Sequence, residues 1–424
     1  MEPLPASLLL VLALVGNAAL WITFLNRSHG LGIWRPLVHG CSLVALIGFV
    51  GGPLVVALAA LTASPALAAR LPIEMPGWVE SLSNSSLATV AEFYAALCVL
   101  VALVPMPWWL LSGWFRRDPA HQTTLRVRCI DFAQNLSGKQ LLHGAGRYGA
   151  LVPGNEVFQV EIAERTLALP QLPERLEGLS IAHLSDMHMS GRISVDFFHE
   201  MVDLTNALAP DLVAITGDIV DSEECLEWIV PTLGRLNAPL GVYGIAGNHD
   251  VWVDVPALRK KMAEAGITNL GGHSKRLEIA GENVLLTGNE LPWIVPEHDA
   301  DAEEQQAGAS CSLRILLSHA PDQINWARRR RYDLMLAGHT HGGQIRFPII
   351  GALLAPSIYG TRYAGGLYYK SPTLMHVSRG VSGLFPVRYN CRPEITLLRL
   401  VGTAATQTRD DAAPDAEEAL ASGS

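Results

Sequence analysis

Leu336-Ala337-Gly338-His339-Thr340-His341-Gly342-Gly343-Gln344 follows directly on the apolar pair Leu334-Met335. An extended backbone turns successive side chains to opposite faces, so His339 and His341 share one face. Imidazole is a nitrogen donor near neutral pH and the commonest metal ligand. The glycines that follow carry no Cβ and let the chain come close to an ion or a phosphate. This pair alone is a weak signal. Its weight depends on what the rest of the chain brings to it.

Upstream, the same grammar recurs. Ile181-Ala182-His183-Leu184-Ser185 is a short buried-strand run that ends in Asp186-Met187-His188. Leu212 to Thr216 ends in Gly217-Asp218-Ile219-Val220-Asp221, and Val242 to Ala246 ends in Gly247-Asn248-His249-Asp250. Leu313 to Leu317 ends in Ser318-His319. Between the first three runs lie helical patterns. One carries Phe197, Phe198, Met201 and Val202. A second is opened by Ser222 and runs through Trp228, Ile229 and Leu233. A third is opened by Asp254 and closed by Gly266. Alternating strands and helices predict a largely parallel sheet covered by helices, and such sheets carry their sites at the carboxyl edge of the strands. The runs Thr373–Val377 and Ile395–Leu400 predict a second sheet on the first, an α/β sandwich.

On this reading five strand ends deliver Asp186, His188, Asp218, Asn248, His319, His339 and His341 to one sheet edge. So many oxygen and nitrogen donors exceed the needs of a single tetrahedral or octahedral ion and suit a pair of divalent cations. Each fragment alone is structural more often than not. Five in series, each on a strand end, point to a site. Mixed N/O ligation without cysteine suits manganese, iron or zinc.

D-x-H, G-D-x-x-D, G-N-H-D, a lone His and G-H-x-H, in this order, resemble the calcineurin-like metallophosphoesterase superfamily over residues 175–402. The run Gly338–Gln344, with Ser357-Ile358-Tyr359-Gly360 and Val377-Ser378-Arg379-Gly380 downstream, is similar to a membrane-associated subgroup. That subgroup includes phosphodiesterases and pyrophosphatases acting on UDP-diacylglucosamine. The resemblance implies that Asp186, His188 and His341 hold one metal, that Asn248, His319 and His339 hold a second, and that Asp218 bridges them. It implies that His249 serves as proton donor or charge stabiliser near the leaving oxygen, with Asp250 and Asp221 orienting the groups around it, and that Arg379 and Tyr359 line the substrate cleft.

The first 115 residues differ in kind. They hold six of the ten tryptophans, and charge-free runs cover about Pro5–Leu25, Pro36–Leu61 and Phe93–Phe115. Each run is long enough for a helix to cross a bilayer. No Lys or Arg precedes Arg27, which disfavours a cleaved signal peptide and favours a retained helix. Arg27 and Arg35 flank the first two runs, Arg70 stands alone between the second and third, and Arg116, Arg117, Arg126 and Arg128 follow the third. The positive-inside rule then places the C-terminal part in the cytoplasm. The divisions expected are a transmembrane region at 1–115, a connector at 116–174, the catalytic domain at 175–402 and a disordered tail at 403–424.

The net charge of −9 disfavours a nucleic-acid partner. The six cysteines are scattered, with no C-x-x-C, which fits neither a disulfide framework nor a zinc ribbon. His183, His199 and His376 read as structural. Arg328–Arg331 reads as a solvated helix end, with contact to anionic headgroups as the sharper alternative. The leading function is hydrolysis of a phosphodiester or pyrophosphate at the membrane, with a lipid-linked substrate. A soluble nucleotide-type substrate is the alternative, and a non-catalytic metal-stabilised scaffold ranks last because no ligand is missing.

Overall fold

The computed structural model describes residues 5–63, 86–114, 121–296, 311–383 and 385–403, within two compact units, Met1–Arg117 and Asp118–Ser424. Residues 297–310, whose polar, acidic sequence reads as a surface insertion, the basic pair Arg116-Arg117 and all but the first residue of the 403–424 tail lie outside the described residues.

The first unit consists of α1 (Ala6–Gly30), α2 (Arg35–Ala63), α3 (Ser86–Leu103) and α4 (Pro105–Trp114). Among the described residues three stretches are long and apolar enough to cross a membrane: Ala6–Gly30, Arg35–Ala60 and Ser86–Trp109. The third starts earlier than the charge-free run suggested and takes in Glu92, because one ionisable side chain does not stop a helix. Ile47, Leu54, Val90 and Phe93 are exposed, while polar groups meet inside. Trp21 Nε1 donates to Tyr94 Oη at 2.9 Å, Tyr94 donates to Asn17 Oδ1, and Asn17 Nδ2 donates to the Phe49 carbonyl at 3.3 Å. An apolar exterior around satisfied internal polar groups is the pattern of helices solvated by lipid.

The second unit is a two-sheet sandwich. Its larger sheet runs β1 (Gln122–Asp131), β2 (Gln159–Leu169), β15 (Glu394–Gly402), β3 (Ser180–Leu184), β4 (Leu212–Thr216), β5 (Val242–Ile245) and β6 (Ile267–Asn269). Its smaller sheet runs β13 (Gly366–Lys370), β14 (Thr373–Val377), β10 (Leu334–Ala337), β9 (Leu313–Ser318), β8 (Glu282–Asn289) and β7 (Ser274–Ile279). Ile181, Tyr243, Ile245, Leu286, Leu317, Leu336 and Leu398 fill the space between the sheets. The outer face of the larger sheet packs on α5 (Val195–Ala207), α6 (Leu226–Leu233) and α7 (Val255–Glu264) through Phe197, Met201, Ile229 and Met262. α8 (Ile324–Arg329) covers the smaller sheet with Ile324 and Ala327. Asp254 caps α7, its carboxylate accepting from Ala257 N, and Gly266 follows that helix at φ +75°.

Three details differ from the sequence reading. The five ligand-bearing strands do not share one sheet. β3, β4 and β5 belong to the larger sheet, whereas β9 and β10 belong to the smaller. The site is therefore a seam between two sheets rather than the edge of one. Periodicity marks strands but not which strand pairs with which. Second, Ile395–Leu400 lies in the first sheet, parallel to β2 and antiparallel to β3, while Thr373–Val377 lies in the second. Third, the stretch read as a connector supplies β1 and β2, two strands of the larger sheet.

Candidate metal centre

β3, β4, β5, β9 and β10 are each buried along their length or nearly so, and each hands its polar residues to the seam at its carboxyl end. The donors Asp186, His188, Asp218, His319 and His339 are buried. Five donors have left-handed backbone: Asp186 (φ 55°), His188 (48°), Asp218 (52°), His339 (70°) and His341 (51°). Such a conformation costs a non-glycine residue roughly 1–2 kcal/mol and persists only where the surroundings hold it. Here it turns each side chain off its strand and into the seam.

The holding groups are visible. Asp250 is buried, with Oδ1 accepting from Ile219 N and Val220 N (both 2.9 Å) and Oδ2 from Gly247 N (2.7 Å). Its carboxylate is thus committed to backbone and ties the end of β4 to the end of β5. Burial, with Asp218 nearby, pushes its pKa up to about 7. Asp221 accepts from two rings at one oxygen, His188 Nδ1 at 2.9 Å and His249 Nδ1 at 3.1 Å. Burial opposes its charge, but His188 and His249 prevail and lower its pKa to about 2.

Among the described residues three sets of donors converge, the atoms of each within 4.8 Å of one another: Asp186, His188, Asp218 and His341; Asp218, His319 and His339; and His188, Asp221 and His249, the last joined by the Asp221 hydrogen bonds above. The first two carry the site. Asp218 is common to both. Asn248 Oδ1 joins the second set at 3.0 Å from His319 Nε2. The hydrogen bonds fix which nitrogens face inward. His319 Nδ1 donates to the Thr216 carbonyl at 2.7 Å, so its Nε2 is turned toward Asn248 Oδ1 and toward Asp218 Oδ2 at 3.2 Å. His188 Nδ1 donates to Asp221, and its Nε2 lies 3.1 Å from His341 Nε2 and 3.5 Å from Asp218 Oδ2. Asp218 Oδ2 is buried without a hydrogen bond. With neutral imidazoles these inward atoms are all acceptors, and only a cation or added protons can reconcile them. The residues present therefore fit a divalent metal. His188 and His319 have pKa values raised to about 9: burial opposes the charge, but Asp221 beside His188 and Asp218 beside His319 outweigh it.

The calcineurin-like phosphoesterase family matches residues 179–343. The chain is 31% identical over 295 residues to the uncharacterized metallophosphoesterase YkuE of Bacillus subtilis, covering 64% of this chain and 99% of that one. The chain belongs to the calcineurin-like phosphoesterase family. It is also 30% identical over 226 residues to phosphodiesterase YaeI of Escherichia coli, covering 52% of this chain and 82% of that one. A transmembrane protein with metallophosphoesterase domain from Danio rerio is 33% identical over 253 residues, covering 56% of each chain. This phosphoesterase is accordingly a metal-dependent phosphohydrolase.

The remaining candidates are placed as follows. His183 and His376 are buried and pair with each other, Nδ1 to Nδ1 at 2.8 Å, with His183 Nε2 on Thr216 Oγ1 at 2.9 Å. They form a polar tie between the two sheets, as the structural reading expected. His199 meets Arg235 on the surface at 2.9 Å. Arg379 does not present its guanidinium to the cleft. Nη2 lies 2.7 Å from Glu161 and 2.6 Å from Glu394, because β2 and β15 place those carboxylates beside it. The Tyr359 hydroxyl accepts from Asn325 Nδ2 at 2.6 Å. Three supporting residues escaped the sequence reading. Glu290, at the end of β8, accepts from Ala246 N at 2.7 Å and from Arg259 at 2.8 Å, bracing β5. Trp293 lies 4.8 Å from the His339 ring and 5.6 Å from the His319 ring, walling one side of the site. Arg388 is fully buried and donates from Nη1 to the His341 and Arg379 carbonyls, both at 2.8 Å. None of the three sits in a recognisable motif.

Proposed function

We propose that this phosphoesterase is a membrane-anchored, two-metal enzyme. It hydrolyses a phosphodiester or pyrophosphate bond in a lipid-linked substrate, with its catalytic unit on the cytoplasmic side. The observation that carries the two-metal part is the sharing of Asp218 between two converging donor sets. Asp186, His188 and His341 would hold one divalent cation and Asn248, His319 and His339 the other, with the Asp218 carboxylate available to both. When bound, such a pair supplies positive charge that lowers the pKa of water and neutralises phosphate oxygens. Manganese, iron and zinc all suit this donor set. The three apolar helices and the Lys/Arg placement support the anchor and the orientation. A soluble nucleotide-type substrate is the competing reading. Hydrolysis of a lipid pyrophosphate against bis-p-nitrophenyl phosphate by the reconstituted protein separates the two.

The chain's own contribution to proton transfer centres on His249. Its Nδ1 is held by Asp221, which leaves Nε2 to carry a proton to the leaving oxygen. Its ring also lies 3.7 Å from that of Trp252, which fixes its plane. Replacing His249 with Ala is expected to lower kcat by ~10²–10⁴-fold, the usual worth of a positioned general acid, with metal content unchanged. Equal turnover by the variant would remove His249 from the mechanism. Asp250 acts through backbone and is a positioning residue.

The proton affinities give a pH test. In the metal-free protein His188 and His319 keep their protons up to about pH 9. A cation must displace both, so apparent affinity is expected to rise with pH, by up to ~100-fold per unit for two released protons, and to level off above about 9. Calorimetric titration of the chelated protein with Mn²⁺ at several pH values reads this slope. A flat profile would mean that neither imidazole is a ligand.

A further inference from the structure

Beside the metal centre stands a crown of exposed apolar side chains that the chemistry does not use. Ile349 is 87% exposed, Leu151 75%, Tyr148 72% and Phe385 60%, with Phe347 and Tyr389 also exposed. They come from three segments that the fold binds together. The short hairpin of β11 (Arg346–Phe347) and β12 (Gly351–Ala352) carries Ile349 in its turn. Ile345 bridges to Tyr389, and Arg346 N donates to the Tyr389 carbonyl at 2.9 Å. Asn155 Nδ2 donates to the carbonyls of both Gly149 and Pro386 at 2.8 Å, joining the Tyr148–Leu151 turn to the Phe385–Tyr389 loop.

The crown abuts the ligand loop. Gln344, three residues after His341, donates to the Phe385 carbonyl at 3.0 Å. A Cβ on Gly383 would lie 3.6 Å from His341 Nδ1. The crown's three segments, residues 144–154, 345–362 and 385–393, carry arginines but no carboxylate of their own, although Glu156 and Glu161 stand beside Arg392. Of the arginines there, Arg388 is buried and Arg392 is paired with Glu156 and Glu161, which leaves Arg147, Arg346 and Arg362. Arg147 and Arg362 are exposed.

Exposed apolar side chains with exposed cations on the same segments are the composition of an interfacial lipid-binding element. We infer that this crown inserts into the surface of an anionic phospholipid bilayer and brings the metal centre to the headgroup layer. The inference builds on the membrane-anchored part of the proposed function and names the surface by which the catalytic unit meets its substrate's environment. It commits to lipid because the exposed Arg147 and Arg362 complement anionic headgroups and because, among the described residues, the chain carries three helices of membrane-spanning length and composition.

The test uses the full chain at one copy per nanodisc of phosphatidylglycerol and phosphatidylcholine. An Ile349→Cys variant in a Cys129→Ser background is labelled with a nitrobenzoxadiazole fluorophore, and the parent without Ile349→Cys gives the background. A Glu278→Cys variant on β7 serves as control. Spin-labelled lipid is expected to quench the label at 349 and not at 278. Absence of quenching at 349, or equal quenching at both, overturns the proposal. Quenching that appears only with two copies per disc also overturns it, by assigning the crown to a second copy. In vesicles, Phe347→Glu/Ile349→Glu is expected to raise KM for a lipid phosphodiester by about tenfold or more with kcat kept, since two apolar anchors are lost. An unchanged KM counts against insertion. If no lipid is hydrolysed at all, the lipid-substrate reading fails while the quenching still decides the docking surface.

Discussion

Changing Asp218 to Asn is expected to strip the centre of the two cations proposed for it and to lower kcat at least ~10⁴-fold. Each preorganised charge in a dry site is worth ~10²–10³-fold, and this substitution removes two at once. The argument is geometric. Asp218 Oδ1 already accepts from His249 N at 2.7 Å, so Oδ2 is the oxygen turned to the His319 and His188 nitrogens. An amide retains the shape but halves the acceptors and puts either a neutral oxygen or an N–H donor where the carboxylate would face the two proposed cations. Elemental analysis of the purified variant reads the metal directly. Thermal unfolding gives a second measure. Cations bound at ~100 times their Kd stabilise by about 2.7 kcal/mol, or about 5–10 °C in a unit of this size. Chelation should therefore lower the Tm of the parent by that amount and leave the Asn variant unmoved. A variant that keeps both ions and more than a tenth of the activity would show that Asp218 is not the shared ligand.

The donors were legible because their chemistry is local in sequence. A strand's last residues and the two or three that follow it reach the same place whatever the strand pairs with, so Asp186-Met187-His188 or Gly338-His339-Thr340-His341 can be read before any topology is known. Pairing is what the sequence conceals. β2 joins the sheet through β15, more than two hundred residues away, and a pattern such as Val157–Ile162 says only that one face is wet. The β7–β8 hairpin turns on Ala280-Gly281, both at positive φ, and Ala gives no hint of that conformation where Asn or Asp would. Arg379 was misplaced for the same reason as the sheets. Its partners Glu161 and Glu394 come from strands distant in sequence, and nothing near Arg379 in the chain announces them. Arg388 is the extreme case. A fully buried guanidinium bonded to carbonyls leaves no residue-level signature at all.

Gly247→Ala is expected to lower activity by on the order of 10³-fold or more through one methyl group. Its Cβ would fall 2.3 Å from Asp218 Oδ1, 2.5 Å from Asp218 N and 2.8 Å from His319 Cε1. Two of those contacts touch proposed ligands and the third is backbone, so no flexible side chain can yield. The ends of β4 and β5 must part, which displaces Asp218 and Asn248 together and breaks the Gly247 N bond to Asp250. Overpacking of this kind costs ~1–3 kcal/mol in stability. A matched control separates that cost from damage to the centre. Gly266 has φ +75° and nothing within 4 Å of a built Cβ, so Gly266→Ala loses a comparable ~1–2 kcal/mol through backbone strain alone. Both variants should show similar falls in Tm when chelated. Only Gly247→Ala should lose metal and kcat. If the two lose activity in parallel, the centre responds to global stability and the close approach of β4 to β5 is not what places its donors.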